Sequence, residues 1–415
     1  MKSNPTSRRA VVGALLALPA ASAFADWPQW RGPMRTGTIP GFNPPSRWPT
    51  ELKKRWSLEV GEGHASPVIG GEWVYLFSRE SEQEVVRAIS LKTGLQRWIG
   101  TYSAPYEMHQ AARGHGKGPK STPTLVDGRL FTLGISGILA AWNAETGAEL
   151  WRRDFKSEFK TTSPLYGAAA SPLVDRDRVI VPIGGHNAGG IAAFDVRTGA
   201  EKWRWAEDGP AYASPILVRT PDGTRHVVTQ SQKFCLGLDA DSGRLLWSRP
   251  FTTPFDQNSI TPLPMGELIL FAGVRQPTFA VRLRKTEAGW FAEKEWETPQ
   301  VTLYMSCPVY RDGRVYGMSE RSTGQLFVLN AVNGEVLWLG EGRYGDNAAI
   351  LDGGNVILAL NTAGELSAWR KEKESPALSH VGRYKVSETP TWSAPAVDGR
   401  LVAIKDLKTV TLWEI

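Results

Sequence analysis

The feature that most constrains the fold is a segment that recurs five times, in which a Trp follows a Gly by four residues. In each copy a large apolar residue lies five positions before the Gly, and a short Ser, Asn or Asp lies four positions before it. The Gly and Trp of the five copies are Gly94 and Trp98, Gly147 and Trp151, Gly199 and Trp203, Gly243 and Trp247, and Gly334 and Trp338. Such a long-period repeat is typical of architectures built from equivalent units.

The chemistry of the repeat predicts two strands joined by a tight turn. An apolar run ends the first strand, and the short polar side chain accepts a hydrogen bond from a backbone N–H ahead of it. The Gly supplies the positive φ that the turn requires. The second strand carries a Trp, which buries a large area and can still donate its indole N–H. We expect each Trp to pack between neighbouring sheets.

A second signature, a small residue followed by Pro, opens a short apolar strand in each unit. The pairs are Ser66–Pro67, Thr122–Pro123, Ser171–Pro172, Ser214–Pro215, Thr261–Pro262, Cys307–Pro308 and Ala394–Pro395. Residues 347–349 open one further strand of this kind without Pro. Successive strand openings are 41 to 56 residues apart. A four-stranded blade of a β-propeller needs about 40–50 residues. Helical periodicity is nearly absent, which indicates an all-β chain.

The last unit lacks its final strand. It runs from Ala394 to Ile415 and ends where a Gly turn and a Trp-bearing strand should follow. Residues 53–58 contain Trp56 and precede the first of these strand openings. They have the sequence expected of the missing strand. Ring closure removes exposed sheet edges. We therefore predict one domain over residues 26–415, an eight-bladed β-propeller of four-stranded antiparallel blades that is closed by its N-terminal strand.

Residues 1–25 have the pattern of an export signal. Lys2, Arg8 and Arg9 precede an apolar stretch over residues 10–21 that is too short to span a bilayer, and residues 23–25 match the small-x-small cleavage rule. The arginine pair favours a twin-arginine signal, and the alternative is an ordinary secretory signal. We expect a periplasmic or secreted protein whose mature chain begins at Asp26.

The charge balance disfavours nucleic-acid binding. Three of the 48 Lys and Arg residues lie in the signal, which leaves 45 against 42 Asp and Glu. A net charge of +3 without a long basic run is a weak electrostatic footprint. No segment after residue 25 is apolar enough for a transmembrane helix.

The Asp/Asn-x-x-Thr-Gly-x-x-x-Trp and Ser-Pro units resemble the pyrroloquinoline quinone (PQQ)-like repeat over nearly all of residues 26–415. Residues 27–33, Trp-Pro-Gln-Trp-Arg-Gly-Pro, resemble the opening of exported bacterial members of that family. This repeat builds the propellers of quinoprotein alcohol dehydrogenases and of the propeller lipoprotein of the outer-membrane β-barrel assembly machinery. The resemblance thus implies the fold and leaves the activity open.

A catalytic quinoprotein is expected to have an adjacent Cys–Cys pair, carboxylate and amide ligands for Ca²⁺, and an Asp base. This chain has two Cys, Cys235 and Cys307, in the fourth and sixth units. In a ring they are too far apart for a disulfide, so we expect buried free thiols. No Cys-x-x-Cys-His haem motif is present, and the chain is short for a catalytic member. No catalytic residue is assigned.

The longest insertion, residues 106–120, lies between the first and second units and contains His109, Arg113, His115, Lys117 and Lys120. It lacks the phosphate-loop motif. Three interpretations remain open: a metal site at the two His, which is the weakest and is not predicted, a solvated loop, or a ligand or partner contact. Long loops in compact folds are often functional, which favours the third over the first.

Topology predicts which residues share one end of the ring. Connectors between blades lie at the same end as the loops between second and third strands, which include the Gly-rich residues 184–190. The residues expected to converge there are His64, His109, Arg113, His115, Lys117, Lys120, Tyr166, His186, Asn187, Tyr212, Asn258, Arg275, Tyr304, Arg321 and Asn347. Polar groups that converge on a channel mouth form the candidate binding face.

Two functions fit these observations. The first is a non-catalytic, monomeric propeller of the cell envelope that binds a protein, peptide or glycan at this face and holds no cofactor. The alternative is a PQQ-dependent oxidoreductase of the alcohol dehydrogenase type, with Ca²⁺. The fold alone does not decide between them.

Overall fold

The computed structural model describes residues 26–415, which form eight four-stranded antiparallel sheets. The first strands of most neighbouring sheets contact one another, so that the sheets form a ring around a central channel. This confirms the predicted eight-bladed, all-β propeller. The predicted export signal, residues 1–25, lies outside the described residues.

Each blade except the last is built from consecutive strands. Blades 1 to 3 are β2–β5 (Val68–Gly70, Trp73–Glu80, Gln83–Ser90, Gln96–Ser103), β6–β9 (Thr124–Val126, Arg129–Leu133, Leu139–Asn143, Glu149–Arg153) and β10–β13 (Leu173–Asp175, Arg178–Gly185, Ala188–Asp195, Glu201–Trp205). Blades 4 to 6 are β14–β17 (Ile216–Arg219, Arg225–Gln230, Phe234–Asp239, Leu245–Pro250), β18–β21 (Leu263–Met265, Leu268–Gly273, Gln276–Thr286, Gly289–Thr298) and β22–β25 (Val309–Arg311, Arg314–Ser319, Gln325–Asn330, Val336–Leu339). Blade 7 is β26–β29 (Ala348–Asp352, Val356–Asn361, Glu365–Lys371, Leu378–Lys385), and blade 8 is β30–β32 (Ala396–Asp398, Leu401–Lys405, Thr409–Glu414) with β1 (Lys53–Glu59). Short 3₁₀ helices span Gln110–His115, Pro254–Asp256 and Arg321–Thr323.

Blade 8 has the predicted closure. Strand β1 pairs antiparallel with β32, so that Trp56 lies opposite Leu412 and Lys53 lies opposite Glu414. The side chain of Arg55 donates a hydrogen bond to the Glu414 carboxylate at 3.0 Å. Ladder hydrogen bonds therefore join β1 to the C-terminal strand β32 within one sheet, which closes the ring.

The repeated segments form hairpins that hold one blade against the next. In blade 2, the Asn143 Oδ1 accepts hydrogen bonds from two backbone N–H groups of the turn at 2.9 Å, and Gly147 adopts φ 75°. A Cβ added at Gly147 would lie 2.5 Å from the ring of Trp98, which belongs to blade 1. The same contact joins Gly94 to Trp56, Gly199 to Trp151, Gly243 to Trp203, and Gly334 to Trp296. Each repeat Gly thus leaves room for the Trp of the preceding blade.

The same Trp rings donate hydrogen bonds across the blade boundary. Their Nε1–H groups reach backbone carbonyls of the next hairpin at 2.9–3.2 Å, from Trp56 to Leu91, Trp98 to Ala144, Trp151 to Val196, Trp203 to Ala240, and Trp296 to Ala331. The sequence pattern missed Trp296, because no repeat Gly precedes it in the long β20–β21 hairpin. In blade 7, Gly382 occupies the equivalent place opposite Ala368, beside the ring of Tyr384.

The small residues before Pro form a belt of hydrogen bonds around the channel. The Ala394 N–H donates to Ser66 Oγ at 2.8 Å, and the Ser66 N–H donates to Thr122 Oγ1 at 3.2 Å. The Thr122 and Ser171 N–H groups donate in the same way to Ser171 and Ser214 hydroxyls, each at 2.9 Å. A hydroxyl at this position therefore links one inner strand to the next.

Residues 27–39, which we call the plug, cross the channel at the end where the inner strands finish. The contacts pair Trp27 with Ile69, Arg35 with Pro172, Arg31 with Pro308, and Ile39 with Asp352. Trp27 and both guanidinium groups are buried, and burial lowers the pKa of each arginine. The plug therefore ties blades 1, 3, 6 and 7 together, a role that the sequence pattern of residues 27–33 did not indicate.

The core lies between neighbouring blades rather than at a single centre. Cys235 and Cys307 are buried free thiols in blade 4 and at the start of blade 6. No helix within residues 26–415 combines the length and apolar character needed to cross a membrane.

Blades 1 and 2 share a buried carboxyl group. The Glu84 side chain accepts hydrogen bonds from the Tyr102 hydroxyl at 2.6 Å and from the Ile135 N–H, in blade 2, at 2.7 Å. Burial raises the pKa of Glu84 to about 7, against the opposing effect of these donors. The folded state therefore binds a proton that the unfolded state has released between about pH 4.5 and pH 7.

Because the folded-state pKa is raised, Glu84 contributes stability at low pH that is lost as the pH rises through 7. We expect Glu84→Gln to remove about 2 kcal/mol of the fall in the free energy of unfolding between pH 5 and pH 8. Urea unfolding at these two pH values measures it. Glu72→Gln, at an exposed residue of the turn between β2 and β3, is the control and should leave the fall unchanged. An equal fall in the wild type and Glu84→Gln would contradict this account.

Candidate functional site

The central channel widens into a cavity of about 250 Å³ at the end where the blade connectors lie. All eight connectors contribute a side chain to its wall: His64, Lys120, Tyr166, Tyr212, Gln257, Tyr304, Asn347 and Trp392. Trp30 and Arg31 of the plug line the same cavity from the opposite end of the channel and form its floor. The cavity is therefore blind, and we call the connector end of the ring the cavity face.

Part of the predicted face lines this cavity. The predicted residues in its wall are His64, His115, Lys120, Tyr166, Tyr212, Tyr304 and Asn347. His109 lies behind the wall, with its ring 5.5 Å from the ring of Tyr166.

The other predicted residues lie outside the wall, and all of them except Arg113 have a polar contact with another part of the protein. Lys117 is 3.7 Å from Glu82, and Arg113 is exposed on the same insertion. The backbone N–H of Asn187 donates to the Gln232 side chain, which also contacts the ring of His186. Asn258 is buried and donates to the Ser231 carbonyl at 2.7 Å, Arg275 donates its N–H to Glu320, and Arg321 donates to the Pro299 carbonyl.

The insertion folds over the cavity rather than away from it. Its 3₁₀ helix, Gln110–His115, places Ala112 and His115 in the wall. The His115 ring packs edge-on against Trp392 at 4.7 Å, and its carbonyl oxygen lies 2.9 Å from the His64 ring nitrogen. Burial, together with Lys405, His115 and Lys120, lowers the pKa of His64 to about 3, so its imidazole is neutral at physiological pH.

Lys120 is the ammonium group of the wall. It donates a hydrogen bond to the Tyr166 carbonyl at 2.6 Å, and burial lowers its pKa to about 8. The Tyr166 ring stacks on Tyr212 at 5.8 Å, and the Tyr212 hydroxyl accepts a hydrogen bond from the Tyr166 N–H at 3.2 Å. Burial raises the pKa of Tyr212, so its hydroxyl remains protonated. One side of the cavity thus combines a cation with two aromatic faces.

The floor of the cavity is fixed by the plug. The Trp30 indole donates to the Thr261 hydroxyl at 2.9 Å, and the Arg31 guanidinium donates to the Thr36 carbonyl at 2.7 Å. Cys307 lines the cavity near Arg31. These contacts hold an indole and a guanidinium beneath the open mouth.

One exposed aromatic residue lies in the connector that also supplies Gln257. Phe255 is 66% exposed, and both Phe255 and its neighbour Asp256 have positive φ, at 63° and 55°. Positive φ is an outlier for a bulky residue, and such strain tends to occur at functional sites. The connector therefore presents an aromatic side chain to solvent on the cavity face.

Sequence reasoning missed several wall residues, and one of them had a usable signal. Trp392 lies two residues before Ala394, as His64 lies two residues before Ser66 and Lys120 two before Thr122. The spacing from the small residue at the strand opening therefore predicts Trp392. No spacing pointed to Trp30 or Arg31, which reach the cavity from the plug.

The resemblance to quinoproteins makes PQQ with Ca²⁺ the cofactor to test against this cavity. Calcium takes oxygen ligands, mainly carboxylates and carbonyls. No Asp or Glu lines the cavity among the described residues, and residues 26–415 contain no group of three or more His, Cys, Asp or Glu placed to hold a metal ion. Cys307 has no neighbouring Cys, since Cys235 lies in the core of blade 4. The residues do not fit PQQ held with Ca²⁺.

Two known proteins illustrate what this chain is similar to in sequence. The chain is 24% identical over 301 residues to an outer membrane protein assembly factor BamB from Shewanella oneidensis, which covers 66% of this chain and 69% of that protein. It is 30% identical over 161 residues to a quinohemoprotein alcohol dehydrogenase from Comamonas testosteroni, which covers 37% of this chain and 22% of that protein.

Among solved structures, BamB from Moraxella catarrhalis superposes with a TM-score of 0.61 at 18% identity, covering 88% of this chain and 100% of that one. This likeness shows a shared fold. The resemblance to PQQ-like propellers read from the repeat is confirmed. Because the match to the PQQ_2 family, described as outer membrane protein assembly factor BamB, extends over residues 82–340 and so over more than half of the sequence, this chain belongs to that family.

Proposed function

We propose that this chain is a non-catalytic, monomeric binding or scaffold protein of the cell envelope, exported by residues 1–25 to the periplasm or beyond. It binds a protein, peptide or glycan at the cavity face. The match to an assembly factor of the outer membrane, which covers about two thirds of both chains, supports this role. The match to the alcohol dehydrogenase covers a much smaller part of that enzyme.

The observation that carries the proposal is the composition of the cavity wall. Among the described residues, the wall has aromatic, apolar and cationic side chains and no carboxylate. The Asp base and the carboxylate Ca²⁺ ligands of a catalytic quinoprotein therefore have no counterpart there. Aromatic side chains and arginines are enriched where proteins bind one another, and Tyr166, Tyr212 and the exposed Phe255 are available on this face.

Titration of the purified mature chain with PQQ, with and without Ca²⁺, decides between this proposal and a PQQ-dependent oxidoreductase. We expect no saturable heat of binding in either condition and no dye-linked alcohol oxidation. Tight PQQ binding followed by turnover of an alcohol would contradict the proposal and establish the oxidoreductase in its place.

A further inference from the structure

Residues 40–50, which we call the strap, cross the end of blade 7 that lies opposite the cavity face. The strap leads from the plug to β1 and passes over the turn between β26 and β27. Pro44 and Pro45 stand near its middle. Their rings fix φ, so the strap is stiff in its central part.

Both ends of the strap are fixed to blade 7. Near its start, Phe42 packs so closely against Gly353 that a Cβ there would lie 2.7 Å from the Phe42 ring. Near its end, the Tyr384 hydroxyl donates a hydrogen bond to the Pro49 carbonyl at 2.9 Å. The ring of Trp48 lies 6.4 Å from the ring of Tyr384. The position of the strap is therefore set by packing and by a hydrogen bond.

Between these anchors the strap stands away from blade 7 and leaves a cleft of about 350 Å³, which is within the size range of ligand pockets. The lining consists of Pro44, Pro45, Ser46, Trp48, Asn355, Val356 and Arg370, none of which lines the central channel. Asn355 and Arg370 are exposed, and within residues 26–415 neither side chain forms a hydrogen bond or an ion pair. An amide and a guanidinium are therefore available beside an indole ring.

This set of side chains suits a sugar. A sugar ring has a face of C–H groups, which packs on an aromatic ring such as the half-buried Trp48, and an edge of hydroxyls. The Asn355 amide both donates and accepts, and the Arg370 guanidinium donates through several N–H groups, so the two can bond neighbouring hydroxyls. Arg370 is also the one charged side chain of the described lining, which favours a ligand with a carboxylate. These polar groups on the blade side disfavour the apolar anchor of a protein partner.

We propose that the strap cleft binds a short oligosaccharide that carries a carboxylate, with Trp48 against a sugar ring and Arg370 paired with the carboxylate. The site lies at the other end of the ring from the cavity face, so this inference goes beyond the proposed function and does not depend on it. A chain with both sites would hold a partner at one end and a glycan of the envelope at the other.

Calorimetric titration of the mature chain with a matched pair of disaccharides tests this site. The probes are N-acetylglucosaminyl-N-acetylmuramic acid, which carries a carboxylate, and N,N′-diacetylchitobiose, which has two N-acetylated sugar rings without it. We expect the acid to bind about tenfold more tightly than the neutral disaccharide, as one charge-assisted pair provides. Equal affinities would overturn the role of Arg370. No saturable binding of the acid up to about 10 mM would overturn the site itself.

Variants locate the binding. Arg370→Gln should abolish the preference for the acid, and Trp48→Ala should weaken both disaccharides by about tenfold or more. Trp48→Phe should retain binding, because it keeps an aromatic face. Arg47→Gln, at an exposed residue of the strap outside the cleft lining, is the control and should leave both affinities unchanged. Circular dichroism checks that each variant is folded. Unchanged affinities in both Arg370→Gln and Trp48→Ala would overturn the location in the strap cleft.

The outcomes for the two ends of the ring are separable. A chain that captures an envelope partner on its cavity face but binds neither disaccharide would retain the proposed function and lose this inference. Disaccharide binding that depends on Trp48 and Arg370, without a partner at the cavity face, would do the reverse.

Discussion

Gly147→Ala is expected to lower the free energy of unfolding by about 3 kcal/mol, although it adds only one methyl group. Two effects add. The φ of 75° disfavours any residue with a Cβ, which costs about 1 kcal/mol. The added Cβ would also lie 2.5 Å from the ring of Trp98, which is held by its hydrogen bond to Ala144 and cannot retreat without loss. Urea unfolding followed by circular dichroism measures the change.

The same blade offers a matched control. Gly128 has nearly the same backbone angle, with φ 71°, and a Cβ there would meet no atom within 4 Å. Gly128→Ala should therefore cost only the backbone part. In a Trp98→Ala background, Gly147→Ala should cost no more than Gly128→Ala, which gives a coupling of about 2 kcal/mol between Gly147 and Trp98. Additive effects would show that the Trp ring does not hold the two blades together.

Trp27→Ala is expected to destabilise the propeller by about 4 kcal/mol, the cost of removing a large buried aromatic side chain. Trp27 is almost fully buried, and its backbone exchanges two hydrogen bonds of 2.9 Å with Ile69 in blade 1. Loss of the indole would leave a void beside Gly32, whose position allows the ring to fit closely. The plug would then lose the packing of this ring against the core of blade 1, although the two backbone hydrogen bonds remain, and the floor of the cavity would lose support.

Met34 provides the control within the plug. Its side chain is 77% exposed, so Met34→Ala should change the free energy of unfolding by less than about 0.5 kcal/mol. Urea unfolding followed by circular dichroism measures both variants. If Trp27→Ala costs no more than Met34→Ala, then the plug does not pack in the channel and the cavity has no fixed floor.

The parts of the fold that sequence reasoning predicted are those fixed by local chemistry. Gly147 and Asn143 sit in one turn, and their conformation depends on neighbours a few residues away. Closure by β1 was also predictable, because the segment around Trp56 supplies the Trp-bearing strand that the last unit lacks. The plug was not, because Arg31 and Arg35 find their partners more than a hundred residues away in different blades.

In the candidate site, too, some features follow from the local sequence and others depend on the folded structure. Connector positions could be read from the repeat spacing, but the direction of each side chain could not. Gln257 and Ser259 line the cavity, whereas Asn258 between them points into the protein and donates to backbone carbonyls. Successive residues of an extended segment face opposite sides, so a shift of one residue exchanges wall for core.

The plug and the connectors together turn a propeller channel into a blind cavity with cations and aromatic rings. Its floor comes from Trp30 and Arg31 of the plug, the insertion places His115 in its wall, and Phe255 is exposed on the same connector as Gln257. This arrangement places the proposed binding face at the connector end of the ring, opposite the end that carries the hairpins of the repeat, which we call the hairpin end. Exposed side chains such as Val332 lie at the hairpin end, in the β24–β25 turn.

Site-specific photo-crosslinking from the two ends of the ring tests the central claim most directly. Phe255 and Val332 have similar exposure, 66% and 73%, and mark the cavity face and the hairpin end. With a photoreactive phenylalanine at one position at a time, in cells that export the chain, we predict a discrete crosslinked envelope partner from position 255 and none from position 332. A partner captured from position 332, or no product from position 255, would contradict the assignment of the cavity face as the binding surface.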